Sequence, residues 1–237
     1  MKLAITAAAL SALALSSVAS AQIAYWQFPT TVPTGTNGTL QNYDITFPIA
    51  ADIKANAGLA VITTDALTFN GSAATTLDQG SMQYFAGTTI NAQPGVVAGS
   101  GLSMRGNIGN VSNGKSITMQ FDTSTFSNIV MSYAERITTT GPASVTFSYS
   151  TDGASFTALS TVAPTRDGTF RLRTVDFSSI AALNNAPTAF IRMTFDGFSG
   201  TNGSGAVRVD NITIVPTPAA AALLGLGTLA AFRRRRA

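Results

Sequence analysis

The sequence predicts an all-β chain, an antiparallel β-sandwich, and three observations carry that expectation. β-Branched and aromatic residues recur in short runs alternating with Ser, Thr and Asn, the period of a strand with one dry and one wet face. Charge is sparse, 11% of the chain, and glycine and asparagine sit between the runs, so turns are well supplied. Between the two ends of the chain the only helical candidate is Ser178 to Leu183, enough for a turn or a short helix. The stretch 22–214 has the length of one all-β domain rather than two.

The chain opens with a segment outside that domain. Met1 to Ala21 carries one cation, Lys2, then an apolar run from Leu3 to Leu15, and small residues at Ala19 and Ala21 ahead of Gln22. That order is a secretory signal peptide, with signal peptidase as its partner and Gln22 as the first residue of the exported chain.

Within 22–214 the early pattern is weak. Tyr43, Ile45 and Phe47 alternate, Leu59 to Ile62 is a short apolar run, and Leu67 and Phe69 form another pair. Glycine and serine crowd Gly95 to Gly114, where long loops are expected. From there the strands are clear: Ile117, Met119 and Phe121, then Ile129, Met131 and Tyr133, then Val145, Phe147 and Tyr149. Asp152-Gly153 reads as a tight hairpin with Phe156 opening the return strand. Asp167-Gly168 reads as a second such turn leading into Phe170, Leu172 and Val175, with Arg171 and Arg173 on the wet face. Ala189, Ile191, Met193 and Phe195 make a further strand, and Val207, Val209, Ile212 and Ile214 close the domain. The even-odd slip between Val209 and Ile212 places a β-bulge around Asp210-Asn211.

The formal charge of +3 comes from the ends, Lys2 and four terminal arginines; the domain between them is slightly acidic and its cations are scattered. Nucleic-acid binding, which needs clustered cations against phosphates, is therefore not expected. The absence of His and Cys excludes the usual serine triads, thiol nucleophiles and imidazole or thiolate metal sites. A carboxylate pair of the glycosidase kind survives that inventory. Its one glutamate, Glu135, sits beside Arg136 and reads as a solvent-facing ion pair, while Asp152, Asp167 and Asp196 each precede glycine and read as turn formers. The chain is read as noncatalytic, with a secreted hydrolase as the remote alternative.

The end of the chain, Val215 to Ala237, reads VPTPAAAALLGLGTLAAFRRRRA. Its uncharged run from Val215 to Phe232 approaches the ~20 residues of a membrane-crossing helix, and Arg233, Arg234, Arg235 and Arg236 orient such a helix with its end in the cytoplasm. A proline motif (Val215, Pro216, Thr217, Pro218), one apolar helix and an arginine cluster together resemble the PEP-CTERM sorting signal of Gram-negative bacteria, with Thr217 where that family usually has glutamate. The resemblance implies recognition and removal of the tail by exosortase, a membrane-embedded protease-transpeptidase. It also implies transient anchoring in the inner membrane, then the cell surface or an exopolysaccharide matrix; a plain tail anchor that is never cut is the alternative.

A second resemblance covers roughly 116–214. The runs SITMQFDTSTFSNIVMSY, VTFSYSTDGASFTAL, AFIRMTF and VRVDNITI are similar to extracellular jelly-roll modules of the galactose-binding-like type. That likeness implies two antiparallel sheets face to face, and a structural calcium for which Asp210 is the candidate ligand; the alternative is that Asp210 caps the bulge or pairs with Arg192 or Arg208. For a surface glycan or exopolysaccharide ligand, the aromatic candidates are Trp26 and Phe198, which the core could equally claim.

Overall fold

The computed structural model describes residues 22–29, 45–66, 82–201 and 203–217. Ala19 and Ala21 of the expected signal peptide, Tyr43, the Leu67–Phe69 pair, Pro218 and the terminal arginines lie outside the described residues. In chain order the strands are β1 (Ala24–Trp26), β2 (Ile49–Ala50), β3 (Ile53–Lys54), β4 (Val61–Thr64), β5 (Met82–Ala86), β6 (Ser100–Asn107), β7 (Lys115–Phe121), β8 (Ile129–Ile137), β9 (Ser144–Ser150), β10 (Thr157–Val162), β11 (Arg171–Phe177), β12 (Ala189–Asp196) and β13 (Gly203–Pro216). Two short 3-10 turns, Ile108–Asn110 and Ala181–Leu183, are the helical pieces among the described residues, the second inside the expected Ser178 to Leu183. No helix among the described residues is long and apolar enough to cross a membrane.

All strand pairs are antiparallel and form two sheets. One runs β10-β9-β12-β7-β4-β2; the other runs β11-β8-β13-β1-β3, with β6 also on β13 and β5 beyond it. Their inner faces supply one core: Ile117, Met119 and Phe121 of β7 and Ile191, Met193 and Phe195 of β12 meet Ile129, Met131 and Tyr133 of β8 and Val207, Val209, Ile212 and Ile214 of β13. These are the period-2 positions of the sequence, buried because alternate side chains share a face.

Strand β13 is the hub. Along its first half it pairs with β6 and along its second with β1, while β8 runs beside it from Val207 to Pro216. The handover falls at the expected bulge: the register against β8 shifts between Asp210 and Thr213, and Asn211 takes a φ of 49°. β13 also continues past the expected domain edge, pairing Val215 with Val130 and Pro216 with Ile129, so two residues of the expected sorting motif belong to the sheet.

Three expectations are corrected. The Gly/Ser-rich region, expected as long loops, contains strand β6, which pairs with β5 before it. Small residues are needed there: a Cβ on Gly101 would lie 3.2 Å from Val209 O. Asp152-Gly153 does supply a positive φ, 73°, but within a six-residue loop, 151–156, whose backbone N–H groups at Ala154 and Ser155 donate to Asp152 Oδ1. Asp167-Gly168 is not a hairpin turn at all; it lies on the crossing from β10 in one sheet to β11 in the other.

Candidate functional site

Strands β10 and β11 are the outermost strands of their sheets on the same side of the sandwich. Between them opens a cleft of about 430 Å³, within the ~300–1,000 Å³ usual for ligand sites. Its walls are Leu159, Ser160 and Val162 of β10 and Arg173, Thr174, Val175 and Asp176 of β11; its floor is Tyr133, Glu135 and Phe147.

The floor follows from the strand period. Ile129, Met131, Tyr133, Glu135 and Ile137 occupy alternate positions of β8 and all are buried, so the only glutamate lies on the inner face, 3% exposed. Tyr133 Oη donates to Glu135 Oε1 over 3.2 Å, and Arg173 Nε donates to Glu135 Oε2 over 2.8 Å. Burial, reinforced by the neighbouring Glu135 carboxylate, pushes the Tyr133 hydroxyl well above its ordinary value, so it stays a hydrogen-bonding phenol. Its ring stands tilted to Phe147 of the opposite sheet with centroids 6.4 Å apart.

Two expectations fail here together. Glu135 does not pair with Arg136, because successive strand residues point to opposite faces; Arg136 Nε instead donates to Gly168 O on the outside. Arg173 is not on a wet face: the β11–β8 register sets Arg173 opposite Tyr133, and Leu172 is the residue turned outward, 54% exposed. The reason is the open edge. A guanidinium can face inward there because its far end still reaches water, 33% of the side chain remaining exposed. The signal was present in the alternation of β8, which places Glu135 in phase with four apolar neighbours.

Chemically, the floor offers an anionic acceptor with spare lone pairs, a phenol oxygen that can still accept, and the two outer nitrogens of Arg173, one of them 3.4 Å from Thr165 Oγ1. Phe147, Leu159 and Val175 add apolar surface beside these polar groups. Such a set binds hydroxyl-rich ligands by direct hydrogen bonds.

The aromatic candidates chosen from the sequence are elsewhere. Trp26 is fully buried in β1, its Nε1 donating to Ile49 O, and Phe198 is 3% exposed beneath Gly106; neither presents a face to a ligand. Half-exposed aromatic residues lie elsewhere: Phe190 of β12 meets Phe156 of the 151–156 loop in edge contact at 6.3 Å, with the Arg192 guanidinium 3.5 Å above the Phe156 ring, and Phe85 of β5 lies 3.7 Å from the Arg208 guanidinium.

Asp210 is buried at the bulge. Its Oδ2 accepts from Thr88 N (2.7 Å) and its Oδ1 from Asn211 N (2.8 Å), so the carboxylate caps its own bulge and the loop after β5. Burial pushes its carboxyl up to about 6, the Thr88 and Asn211 N–H groups opposing the shift. Calcium takes ~6–8 oxygen ligands. Both oxygens of Asp210 face N–H donors, and among the described residues no three acidic, His or Cys side chains gather, so the residues here fit a cap and not a cation. Beside it, Asn211 accepts from Tyr25 Oη and donates to the carbonyls of Thr88 and Ile90, binding the same loop to β13.

At the chain ends, Gln22 begins the described part and Ile23 N donates to Ile214 O. Thr217 N and Oγ1 both donate to Asn128 O, at 2.6 and 2.8 Å.

No family model matches the chain, and no curated protein matches its sequence. Among solved structures, TmCBM61 in complex with β-1,4-galactotriose is similar at 6% identity and a TM-score of 0.40, over 76% of this chain and 99% of that one. The K1 cleaved adhesin domain of Lys-gingipain from Porphyromonas gingivalis W83 is similar at 14% identity and a TM-score of 0.38, over 68% of this chain and 100% of that one. An exo-β-agarase is similar at 11% identity and a TM-score of 0.41, over 58% of this chain and 22% of that one.

Proposed function

We propose that this chain is an exported, noncatalytic surface or matrix protein whose jelly-roll-type sandwich binds a glycan in the cleft between β10 and β11. The observation that carries the reading is the polar floor, Glu135 with Tyr133 and Arg173, set on the inner face where it opens to solvent between β10 and β11. A buried charge is costly and is retained where it is paired or used. Sugar hydroxyls both donate and accept, which suits a carboxylate beside a guanidinium, and the apolar wall of Leu159, Val162 and Val175 suits a sugar's C–H face.

The address rests on the two ends: a leader ending Ala19-Ser20-Ala21 and a tail of proline motif, apolar run and arginines. The partners on this reading are signal peptidase, an exosortase-like protease and an exopolysaccharide or surface glycan. Intact mass of the native protein tests the address; a chain beginning at Gln22 and ending between Pro216 and Pro218 supports it, and one retaining Met1 and Ala237 ends it.

The cleft is tested by a glycan array followed by calorimetric titration of the best ligand. Binding that falls at least tenfold in Arg173→Ala and Glu135→Gln, with no release of reducing ends, supports a binding module. Reducing-end release abolished by Glu135→Gln would make it a hydrolase. Binding unchanged in both variants would move the ligand off this cleft.

A further inference from the structure

The C-terminal end of β13 marks one end of the sandwich, and several elements converge on it. Antiparallel pairing brings there the start of β8, the end of β11, the start of β1 and the end of β3. From the other sheet come the end of β7, the start of β12 and the end of β9. The loops 55–60, 122–128, 151–156 and 178–188 cap this end, tied together where Asn56 Nδ2 donates to Asp122 and Asn185 N to Phe126 O. Leu59 stands out on it, 55% exposed, with Ile53 nearby at 42%.

Thr217 is still held by two hydrogen bonds to Asn128 O, and the rest of the uncharged run, from the next residue, Pro218, continues to Phe232 before the four arginines. Laid as a helix at ~1.5 Å per residue, that run would cover roughly 22 Å, short of the ~30 Å of a hydrocarbon core. A short span is met by snorkelling, by bilayer thinning or by oligomerisation, and a domain joined to it without a linker is held close to the surface. Counted this way, no residue stands between the sheet-bound Thr217 and the rest of the run.

We propose that this end of the sandwich is a membrane-apposed surface, seated at headgroup level with Leu59 and the 178–188 loop against lipid, for as long as the tail is attached. The occupant is a lipid bilayer, and the tether rather than charge puts it there. Among the described residues the cations by this end are Lys54, whose Nζ donates to Gly58 O, and Arg192, over Phe156 of the 151–156 loop, against the acids Asp122, Asp152 and Asp176. The arginines Arg136, Arg166 and Arg171 sit at the opposite end, by the β10–β11 crossing. In this orientation the cleft opens sideways, parallel to the membrane, and the opposite end points away from it. The proposal depends on the tail entering a membrane and not on what the cleft binds.

The chain has no cysteine, so single-cysteine variants label cleanly. The full chain, carrying a bimane at Leu59→Cys, Ala182→Cys or Thr169→Cys, is reconstituted into phosphatidylcholine vesicles containing a headgroup nitroxide lipid. At least twofold stronger quenching at 59 and 182 than at 169 is expected, independent of added anionic lipid. A Gly-Ser linker of about twelve residues inserted after Thr217 should remove the difference. Equal quenching at all three sites, persistence of the difference after deletion of 218–237, or a full chain that does not float with vesicles would overturn the proposal.

Discussion

Replacing Arg173 by leucine tests the cleft floor as a coupled unit. Its Nε lies 2.8 Å from Glu135 Oε2, and the two side chains are 33% and 3% exposed. Removing one partner of a fully buried pair costs ~3–5 kcal/mol, because the other charge is left in a dry site. Arg173 sits at an open edge where water can follow, so the expected loss is smaller, ~2–3 kcal/mol, or a Tm lowered by roughly 4–12 °C for a domain of this size. Glu135→Leu should cost ~1–2 kcal/mol, chiefly by depriving the buried Tyr133 hydroxyl of its acceptor, since the freed guanidinium can turn to solvent. The double variant should then be less destabilised than the sum by ~1 kcal/mol or more, read from urea melts of all four proteins. Additive losses, or an Arg173→Leu variant within about 0.5 kcal/mol of wild type, would refute a coupled polar floor.

Other expectations follow from the same geometry. Asp210 has a carboxyl raised to about 6 from 3.8, so its folded form favours the proton. Its contribution to stability is fully present below pH 3.8 and is lost as pH rises through 6, by up to ~3 kcal/mol. Wild type minus Asp210→Asn, measured by calorimetry from pH 4 to 7, should show that decline; the difference isolates it from Asp122, Asp152 and Asp176, whose lowered carboxyls act in the opposite sense below pH 3.8. Millimolar calcium should leave the Tm unchanged, and a rise would restore the cation reading of Asp210. Trp26→Ala should cost ~3–5 kcal/mol as a core deletion, whereas Trp26→Phe should fold and keep any glycan affinity; affinity lost in a folded Trp26→Phe would return that residue to the site.

The sheets were largely legible because period 2 is written plainly in β7, β8, β9, β12 and β13, and the bulge was legible because a slip in that period has no other cheap explanation. What the sequence hid has three physical causes. Close packing of β6 on β13 selects glycine and serine, which imitate a loop. An edge strand breaks the rule that polar residues face out, so β11 was read in the wrong phase and Arg173 on the wrong face. Long-range pairing decides whether an Asp-Gly pair closes a hairpin or a crossing, and Asp167-Gly168 carries no mark of which. The candidate site suffered most, since Trp26 looks the same in a core as on a ligand face, while Glu135 needed its partner strand before it became a floor.

The most direct test of the central claim is a map of the bound ligand: amide chemical shifts of the isotopically labelled protein, titrated with the best glycan from the array. The account predicts that the largest changes cluster at Tyr133, Glu135, Ser160 and Arg173. Changes centred instead on Phe156, Phe190 and Arg192, or the absence of any saturable change with every glycan tried, would contradict it.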